Sequence, residues 1–321
     1  MNLIPNGRSF DVFCYIKSVS EKTNKNGDAF LDFVIADNDG EMNAKLWNYD
    51  AYVHGSYAAG DVVKIRGGLN QYNGQDQLRI DKIRHVNESD EFDYDSVVPA
   101  SEYPGDKMLK EIYAYLDKVG DSELRRLTET ILRDVEKQML YWPAAFRLHH
   151  AMRGGLLYHT LSILRMAEPV VRLYPSIDSD MLYCGIILHD IAKIDEFDVN
   201  SIGMVKKYSV RGELLGHLVM GAMRISQKAE QLGIGGEKIT LLEHMLISHH
   251  GTPEFGAAVR PMTLEAIVLS SLDTLDAVIY ETEAAVRAVK PNEFTERQWA
   301  LDNRKLYNPG TKEINTKAEL F

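Results

Sequence analysis

The chain has 321 residues and a net charge of −11, from 36 basic and 47 acidic side chains. This length can hold two domains that each bury a core. Two distant cysteines, Cys14 and Cys184, form no disulfide framework, no apolar run is long enough to span a membrane, and the first residues lack a signal-peptide pattern. We therefore expect a cytoplasmic protein with reduced thiols, which would bind a polyanion only through local basic patches.

The segment from Phe10 to about Val86 is predicted to form a small all-β barrel. Short β-rich runs alternate with the turn signals NKNGD, DNDGE and YNGQD, and a short helical stretch is expected near residues 49–57. Five strands in this arrangement resemble an OB-fold. That resemblance implies exposed aromatic rings that stack on bases and basic residues that follow phosphates.

Alternation along the strands indicates which side chains face away from the barrel core. In EMNAKLWNY and DVVKIRG every second residue is apolar, and the side chains between them, basic or aromatic, should point outward. The alternative is a solvated sheet face with one stray tryptophan. The predicted nucleic-acid-binding residues are Phe30, Lys45, Trp47, Lys64 and Arg66.

The segment that follows the barrel reads as a linker. An acidic stretch, ESDEFDYD, precedes PASEYP, so we place an OB-fold domain at residues 1–90 and a linker at 91–105. Residues 106–310 are predicted to form an all-α domain, and 311–321 a polar, mobile C-terminal tail. The first 88 residues carry 10 basic and 12 acidic side chains, so the barrel is only slightly acidic.

Eight of the ten histidines lie between residues 149 and 250. His159 lies in GGLLYHTLSILRMA, whose apolar residues recur at helical intervals. His189 and Asp190 end the apolar run MLYCGIIL, His217 begins GHLVMGAMRI, and two histidines close EKITLLEHMLISHHG before Gly251, a plausible C-cap. Buried imidazole and carboxylate groups are costly unless they are paired or bound to a cation.

Asp273 lies in a fifth apolar segment, AIVLSSLDTLDAVIY, so five predicted helices would bring ligands to one centre. Nitrogen and oxygen ligands suit manganese, iron, cobalt or zinc, and we favour manganese. Because so many ligands exceed the needs of one tetrahedral ion, we predict two divalent cations that share Asp190. The predicted metal ligands are His159, His189, Asp190, His217, His249, His250 and Asp273.

Several neighbouring residues keep two interpretations open. Any single histidine on an apolar helix can be a hydrogen-bonded core residue, and this is the favoured role for His244. His149 and His150 either line the mouth of the site or end a helix. Lys193 either stabilises negative charge on a substrate or forms a salt bridge to Asp190 or Asp273. Asp276 is expected to orient a ligand and not to bind metal.

The order His159, His189-Asp190, Asp273 resembles the HD superfamily of metal-dependent phosphohydrolases, and HDIAK adds Lys193. The further histidines resemble the dinuclear branch of that superfamily. The segment GTPEFGAAVRPMT lacks the Gly-Tyr-Pro signature of the cyclic-dinucleotide phosphodiesterases, which disfavours that subfamily. With the barrel in front, nearly the whole chain is similar to the YhaM-type 3′-to-5′ exoribonucleases.

This resemblance implies a metal-dependent 3′-to-5′ exonuclease acting on single-stranded RNA, and on single-stranded DNA as a further option. A water molecule activated by the ions would be the nucleophile, and Asp190, Lys193 and His217 are the expected catalytic residues. We expect no membrane partner, and a homo-oligomer is compatible with this function. Two alternatives remain: a phosphohydrolase of small nucleotides, and a non-catalytic adaptor that binds single strands.

Overall fold

Two units with separate hydrophobic cores make up the chain, Met1–Ala100 and Ser101–Phe321. The structure is a computed structural model. It describes residues 10–37, 40–72, 75–87, 89–92, 94–98, 100–101, 103–146, 150–200, 203–312, 318 and 320. His149, whose role the sequence left open, lies outside the described residues.

The first unit is a closed five-stranded barrel. Its strands run in the order β1-β2-β3-β5-β4, with β3 and β5 parallel and the other neighbours antiparallel. This strand order confirms the predicted OB-like barrel. The elements are β1 Phe10–Thr23, β2 Ala29–Asp37, β3 Gly40–Trp47, α1 Ala51–His54, β4 Val62–Tyr72 and β5 Gln75–His85.

The strands of the barrel show the predicted alternation. Ala44 and Leu46 of β3 and Val63 and Ile65 of β4 are buried in the barrel core, and the residues between them point outward. The short helix α1 lies within the predicted helical stretch, and the Asp50 side chain caps its first turn.

The first unit extends beyond the predicted boundary at residue 90. Phe92 stacks on Phe13 of β1 with ring centroids 4.5 Å apart, and the helix α2, Tyr94–Val97, packs against β1 and β2. Val97 and Val98 are buried. The apolar residues of the predicted linker therefore belong to the barrel unit, because they bury surface that an extended linker would expose.

The second unit is helical, as predicted, with one short hairpin that the sequence analysis did not anticipate. Its elements are α3 Gly105–Leu116, α4 Ser122–Met139, α5 Gly155–Leu173, α6 Ser179–Leu188, α7 Lys193–Glu196, β6 Phe197–Val199, β7 Val205–Tyr208, α8 Val210–Leu232, α9 Glu237–Ser248 and α10 Leu264–Arg287, with 3₁₀ turns at Pro253–Phe255 and Trp299–Leu301.

Local sequence explains where these helices begin and how closely they pack. Side chains of Asp121, Asp178, Ser209 and Thr263 accept hydrogen bonds from the first-turn amides of α4, α6, α8 and α10. Nearly all of α6 is buried, and it contacts α9 where Gly185 leaves room for the Met245 side chain. The helix that precedes His189-Asp190 is thus held firmly inside the core.

The described end of the chain is anchored, in contrast to the mobile tail expected over 311–321. The Ala318 amide donates a hydrogen bond to the Tyr158 hydroxyl (2.6 Å), and Arg165 donates to the Leu320 carbonyl (3.1 Å). The Leu320 side chain is buried in the helical core, and its apolar surface accounts for the docking. Among the described residues, no helix combines the length and apolar character needed to cross a bilayer.

Candidate metal centre

Asp190 lies at the middle of the candidate metal centre, directly after α6. Its Oδ2 is 3.3 Å from His189 Nε2 and 3.7 Å from His159 Nε2. Its Oδ1 is 3.3 Å from His217 Nε2 and 3.7 Å from His249 Nε2. The two oxygens of one carboxylate therefore face two different pairs of imidazoles.

The first ligand group consists of His159, His189, Asp190 and Asp273. His159 Nε2 is 3.1 Å from Asp273 Oδ1 and 3.3 Å from His189 Nε2, and His189 Nε2 is 4.0 Å from Asp273 Oδ1. α5, the end of α6 and α10 bring these atoms together. Two imidazole nitrogens and two carboxylate oxygens form a donor set that suits a divalent transition metal.

The second ligand group consists of Asp190, His217, His249 and His250. His217 Nε2 is 3.3 Å from His250 Nε2, and ligand nitrogens of the three histidines lie within 4.8 Å of one another. α8 provides His217, and the end of α9 provides the other two. The structure thus brings all seven predicted ligands into two groups that share Asp190.

Backbone carbonyls fix the orientation of three of these imidazoles. Nδ1 of His189 donates to the Ile186 carbonyl (2.8 Å), Nδ1 of His249 to Leu246 (2.7 Å), and Nδ1 of His250 to Phe255 (2.8 Å). Because a carbonyl can only accept, each Nδ1 carries the proton. Each Nε2 then presents a lone pair to the centre, as a metal ligand requires.

Carboxylates orient the other two imidazoles. Nδ1 of His159 donates to Asp276 (2.7 Å), and Nδ1 of His217 donates to Glu196 (2.9 Å). Asp276 was expected to orient a ligand. Glu196 is new, because nothing in the spacing of HDIAKIDEF distinguishes it from its neighbour Asp195.

His150 lies behind the first ligand group, a position that neither sequence-based alternative anticipated. Its Nε2 donates to Asp276 (2.7 Å), and Ser162 donates to the other oxygen of the same carboxylate. His150 is buried and its backbone has φ +55°, in the left-handed region. Three donors, His150, His159 and Ser162, thus hold Asp276 in place. Ser162 was not among the residues predicted from the sequence.

The pattern of protonation differs between the two ligand groups. Burial acts to lower the pKa of His159, but Asp273 and Asp276 together raise it to about 10. Burial lowers the pKa of His217, and it lowers that of His250 to about 3. His159 is therefore protonated near neutral pH without metal, whereas His217 and His250 of the second group offer neutral nitrogens.

Lys193 at the start of α7 is an ion-pair partner of Asp190. Its Nζ is 2.6 Å from Asp190 Oδ2, and the Trp142 indole donates to its backbone carbonyl (3.0 Å). Burial would raise the pKa of Asp190, but Lys193 and His189 hold it well below its usual value. Of the two roles considered for Lys193, the salt bridge to Asp190 is present.

Two buried polar atoms indicate whether the residues of the centre fit a bound cation. Asp190 Oδ1 and His249 Nε2 are buried and have no hydrogen-bond partner among the described residues. Leaving such atoms unsatisfied costs about 1–3 kcal/mol each. Both atoms belong to the second ligand group, so a bound divalent cation would satisfy them, and the residues present fit the metal.

His244 makes a hydrogen bond, as favoured from the sequence, but it lies outside the hydrophobic core. It is half-buried, and its Nε2 accepts a hydrogen bond from the Met262 amide (2.9 Å). This bond ties the middle of α9 to the segment that precedes α10.

On the barrel, three of the predicted nucleic-acid residues form one surface, the tryptophan face, made of Phe30, Lys45 and Trp47. Trp47 is 41% exposed and lies on Phe30 with ring centroids 4.7 Å apart. Lys45 Nζ is within 5.3 Å of both ring centroids. Phe30 is only 7% exposed, so it supports Trp47 and does not itself present a ring to a base.

Lys64 and Arg66 lie on a different part of the barrel. They point outward from β4, which pairs with β1 and β5, whereas the tryptophan face is on β2 and β3. Both nitrogens of the Arg66 fork contact Asp11, at 2.6 and 2.9 Å. The five predicted residues therefore form two surfaces.

Comparison with known proteins places this chain in a family. The HD domain family model matches residues 156–278, a range that contains all seven candidate ligands. The 3′-5′ exoribonuclease YhaM of Geobacillus sp. (strain WCH70) is 38% identical over 303 residues, which cover 94% of this chain and 93% of that protein. YhaM of Bacillus subtilis (strain 168) is 36% identical, with 94% and 96% covered. The chain belongs to the YhaM family of 3′-5′ exoribonucleases.

Membership of the YhaM family confirms the resemblance predicted from the sequence motifs. Solved structures similar to part of the chain include the second OB-fold domain of replication protein A from Methanococcus maripaludis, at TM-score 0.21 and 20% identity over 26% of this chain and 88% of that one. PriB from Ralstonia solanacearum has a TM-score of 0.22 and 12% identity, with 25% and 98% covered. At such scores the fold assignment rests on the strand order of the barrel.

Proposed function

We propose that this protein is a metal-dependent 3′-5′ exoribonuclease whose helical unit holds two divalent cations and hydrolyses the phosphodiester bonds of single-stranded RNA. The exoribonuclease activity is that of its family. One observation supports a dinuclear centre: the two carboxylate oxygens of Asp190 face separate groups of histidines. A carboxylate in this position could serve as a shared ligand of two cations.

When bound, the cations would polarise the scissile phosphate and lower the pKa of a water molecule towards neutrality. The protein's own residues prepare the site for them. Hydrogen bonds at Nδ1 hold each imidazole with Nε2 directed inward, and Lys193 balances part of the negative charge around Asp190.

The approach of substrate is expected from the side of Asp273 and His250. The Asp273 side chain is 15% exposed and His250 is partly exposed, whereas His159, His189 and Asp190 are buried. A phosphodiester that enters there meets one ligand of each group first. Lys193 is buried beside Asp190, so its role is to position and neutralise that carboxylate.

We favour manganese as the physiological ion, with iron, cobalt and zinc as alternatives, because the donor set is imidazole and carboxylate without thiolate. Single-stranded RNA is the proposed substrate. Trp47 offers an exposed ring and Lys45 a neighbouring positive charge, which together suit a base and its phosphate without sequence preference. Single-stranded DNA would fit the same contacts.

Metal analysis of the purified protein, combined with digestion of oligoribonucleotides labelled at either end, tests this proposal. We expect a 5′-labelled strand to shorten stepwise in the presence of manganese and a 3′-labelled strand to release its label at once. If instead mononucleotides are hydrolysed and strands remain intact, the protein is a nucleotide phosphohydrolase. Strand binding without any hydrolysis by metal-loaded protein would make it an adaptor.

A further inference from the structure

A second surface of the barrel, the basic groove, is lined by Lys64, Arg66, Lys82 and Arg84 together with Asp11 and Ile83. The groove has a volume of about 350 Å³ and lies on the outer side of β4 and β5. Four cationic side chains converge there, in a barrel whose first 88 residues are slightly acidic overall.

The strand register places like charges directly opposite each other in this groove. Lys64 on β4 pairs with Arg84 on β5, and Arg66 pairs with Lys82. Like charges in directly opposed positions destabilise a sheet. Two such pairs side by side therefore have an electrostatic cost that an anionic ligand would remove.

The protein offsets only part of this repulsion itself. Arg66 forms a fork with Asp11, and Arg84 forms one with Asp90 (2.6 Å). Lys64 lies 4.0 Å from Asp11, which Arg66 already occupies, and Lys82 has no ion pair among the described residues. Both lysines therefore keep positive charge available to a ligand.

We propose that the basic groove binds the phosphodiester backbone of single-stranded RNA, as a second contact surface beside the tryptophan face. This inference rests on the proposed exoribonuclease function. Cations two residues apart on one strand are spaced by about 7 Å, a distance comparable with the separation of successive phosphates in an extended strand. Such contacts carry no sequence information, which suits an enzyme that shortens strands of any sequence.

Lysine, not arginine, provides the charge that remains available in the groove. The arginine forks that match planar carboxylates are already engaged by Asp11 and Asp90, whereas a lysine ammonium binds phosphate as a point charge. β5 also connects the two surfaces, because Arg79 is the register partner of Lys45 on β3 and of Gly68 on β4.

The test replaces Lys64→Gln and Lys82→Gln together in the full-length protein. Binding of an oligoribonucleotide of about 16 nucleotides, enough to fill one OB-fold site, is measured in EDTA over a range of salt concentrations. Since each phosphate contact on a single strand contributes about 0.7 to the slope of log Kd against log salt, we expect the slope to fall by about 1.4. At about 0.1 M salt, Kd should rise about 25-fold.

The matched control replaces Lys17→Gln and Lys25→Gln, two exposed lysines of the same barrel that do not line the groove. The groove variant should also unfold at an unchanged or higher temperature, because it removes opposed like charges. Lys82→Glu reverses the charge at a single exposed position and provides a second test. We expect it, too, to weaken RNA binding and to lower the salt slope.

Equal salt slopes for the groove variants and the control would overturn the inference. So would unchanged RNA binding in a variant that loses affinity for polyglutamate, which would assign the groove to an acidic protein. These outcomes are distinct from failure of the proposed function, in which the metal-loaded, unmodified protein itself would not shorten RNA.

Discussion

At the scale of single residues, Asp190 connects the two halves of the metal centre. Its carboxylate is buried, carries the Lys193 ion pair on one oxygen and leaves the other without a hydrogen-bond partner among the described residues. Substituting it should therefore affect both ligand groups at once.

Asp190→Asn replaces one carboxylate oxygen by an amide nitrogen that cannot bind a cation. We expect the protein to lose at least one bound metal ion. The rate of RNA hydrolysis should fall by a factor of about 100 or more. Metal content and the rate of strand shortening measure both effects. An active variant with unchanged metal content would remove Asp190 from the centre.

Glu196→Gln tests the carboxylate that holds His217. A glutamine can still accept from Nδ1 but carries no charge, so His217 should become a weaker ligand. We expect metal affinity or activity to fall about 10- to 100-fold. Glu213→Gln, an exposed carboxylate at the start of α8, is the control. Equal results for the two variants would contradict the assignment.

The pKa of His159 predicts how metal binding depends on pH. Its value of about 10 in the folded protein exceeds the usual value of about 6.5, so the ion pairs with Asp273 and Asp276 stabilise the metal-free protein fully below about pH 6.5 and are lost as the pH rises through about 10. Below about pH 10, a cation must displace this proton.

We therefore expect metal binding near pH 8 to release at least one proton per chain, from His159 and in addition from metal-bound water, and metal affinity to increase as the pH rises. Calorimetric titration in buffers of different ionisation enthalpy measures the release. A binding enthalpy that is the same in all buffers would show that His159 binds no metal or is already neutral.

At the scale of secondary-structure elements, α8 is interrupted where the site needs it to be. Gly216 has φ +68° and ψ 163°, a conformation accessible almost only to glycine, and it directly precedes His217. The break turns the His217 amide and ring towards Glu196, which accepts from both.

Gly216→Ala should cost about 1–3 kcal/mol of folding free energy through the backbone alone, because a Cβ there would meet no atom closer than 3.9 Å. Chemical denaturation measures the loss, and metal content should fall with it as His217 moves. Gly235→Ala is the control, since that glycine has open space and no positive φ. A stability equal to that of the control would mean that the break is not fixed by Gly216.

Element-level patterns in the sequence were sufficient for the barrel strands and for the helices that carry ligands. Alternation in β3 and β4 predicted which side chains point outward, and polar residues within or at the ends of apolar helices indicated the candidate ligands. The partners Glu196 and Ser162 escaped prediction, because hydrogen-bond partners depend on how helices pack and not on spacing within one helix. Phe30 was predicted to contact nucleic acid, but Trp47 covers its ring. This contact depends on the register between β2 and β3, which the sequence does not reveal.

At the scale of the whole molecule, an acidic protein that acts on RNA must concentrate its positive charge locally. The net charge of −11 repels a polyanion at long range, so the tryptophan face and the basic groove would supply the attraction at short range. The boundaries of the units were harder to predict than their folds. Phe92, Val97, Val98 and Leu320 pack by apolar contacts, although most of their neighbours in the sequence are polar.

Trp47→Ala should weaken the binding of single-stranded RNA by about 1–3 kcal/mol, the usual contribution of one stacked base. The reference for each variant is its rate of hydrolysis of a small phosphodiester, which has no strand for the barrel to bind. If the rates on RNA and on the small ester fall by the same factor, Trp47 supports the fold and does not bind the strand.

The central claim is that one carboxylate bridges two cations in the helical unit. Electron paramagnetic resonance of the manganese-loaded protein tests it most directly, because two ions joined by Asp190 are magnetically coupled. We predict two manganese ions per chain with a spin-coupled spectrum, which Asp190→Asn abolishes. A single ion per chain, or two with uncoupled spectra, would contradict the account.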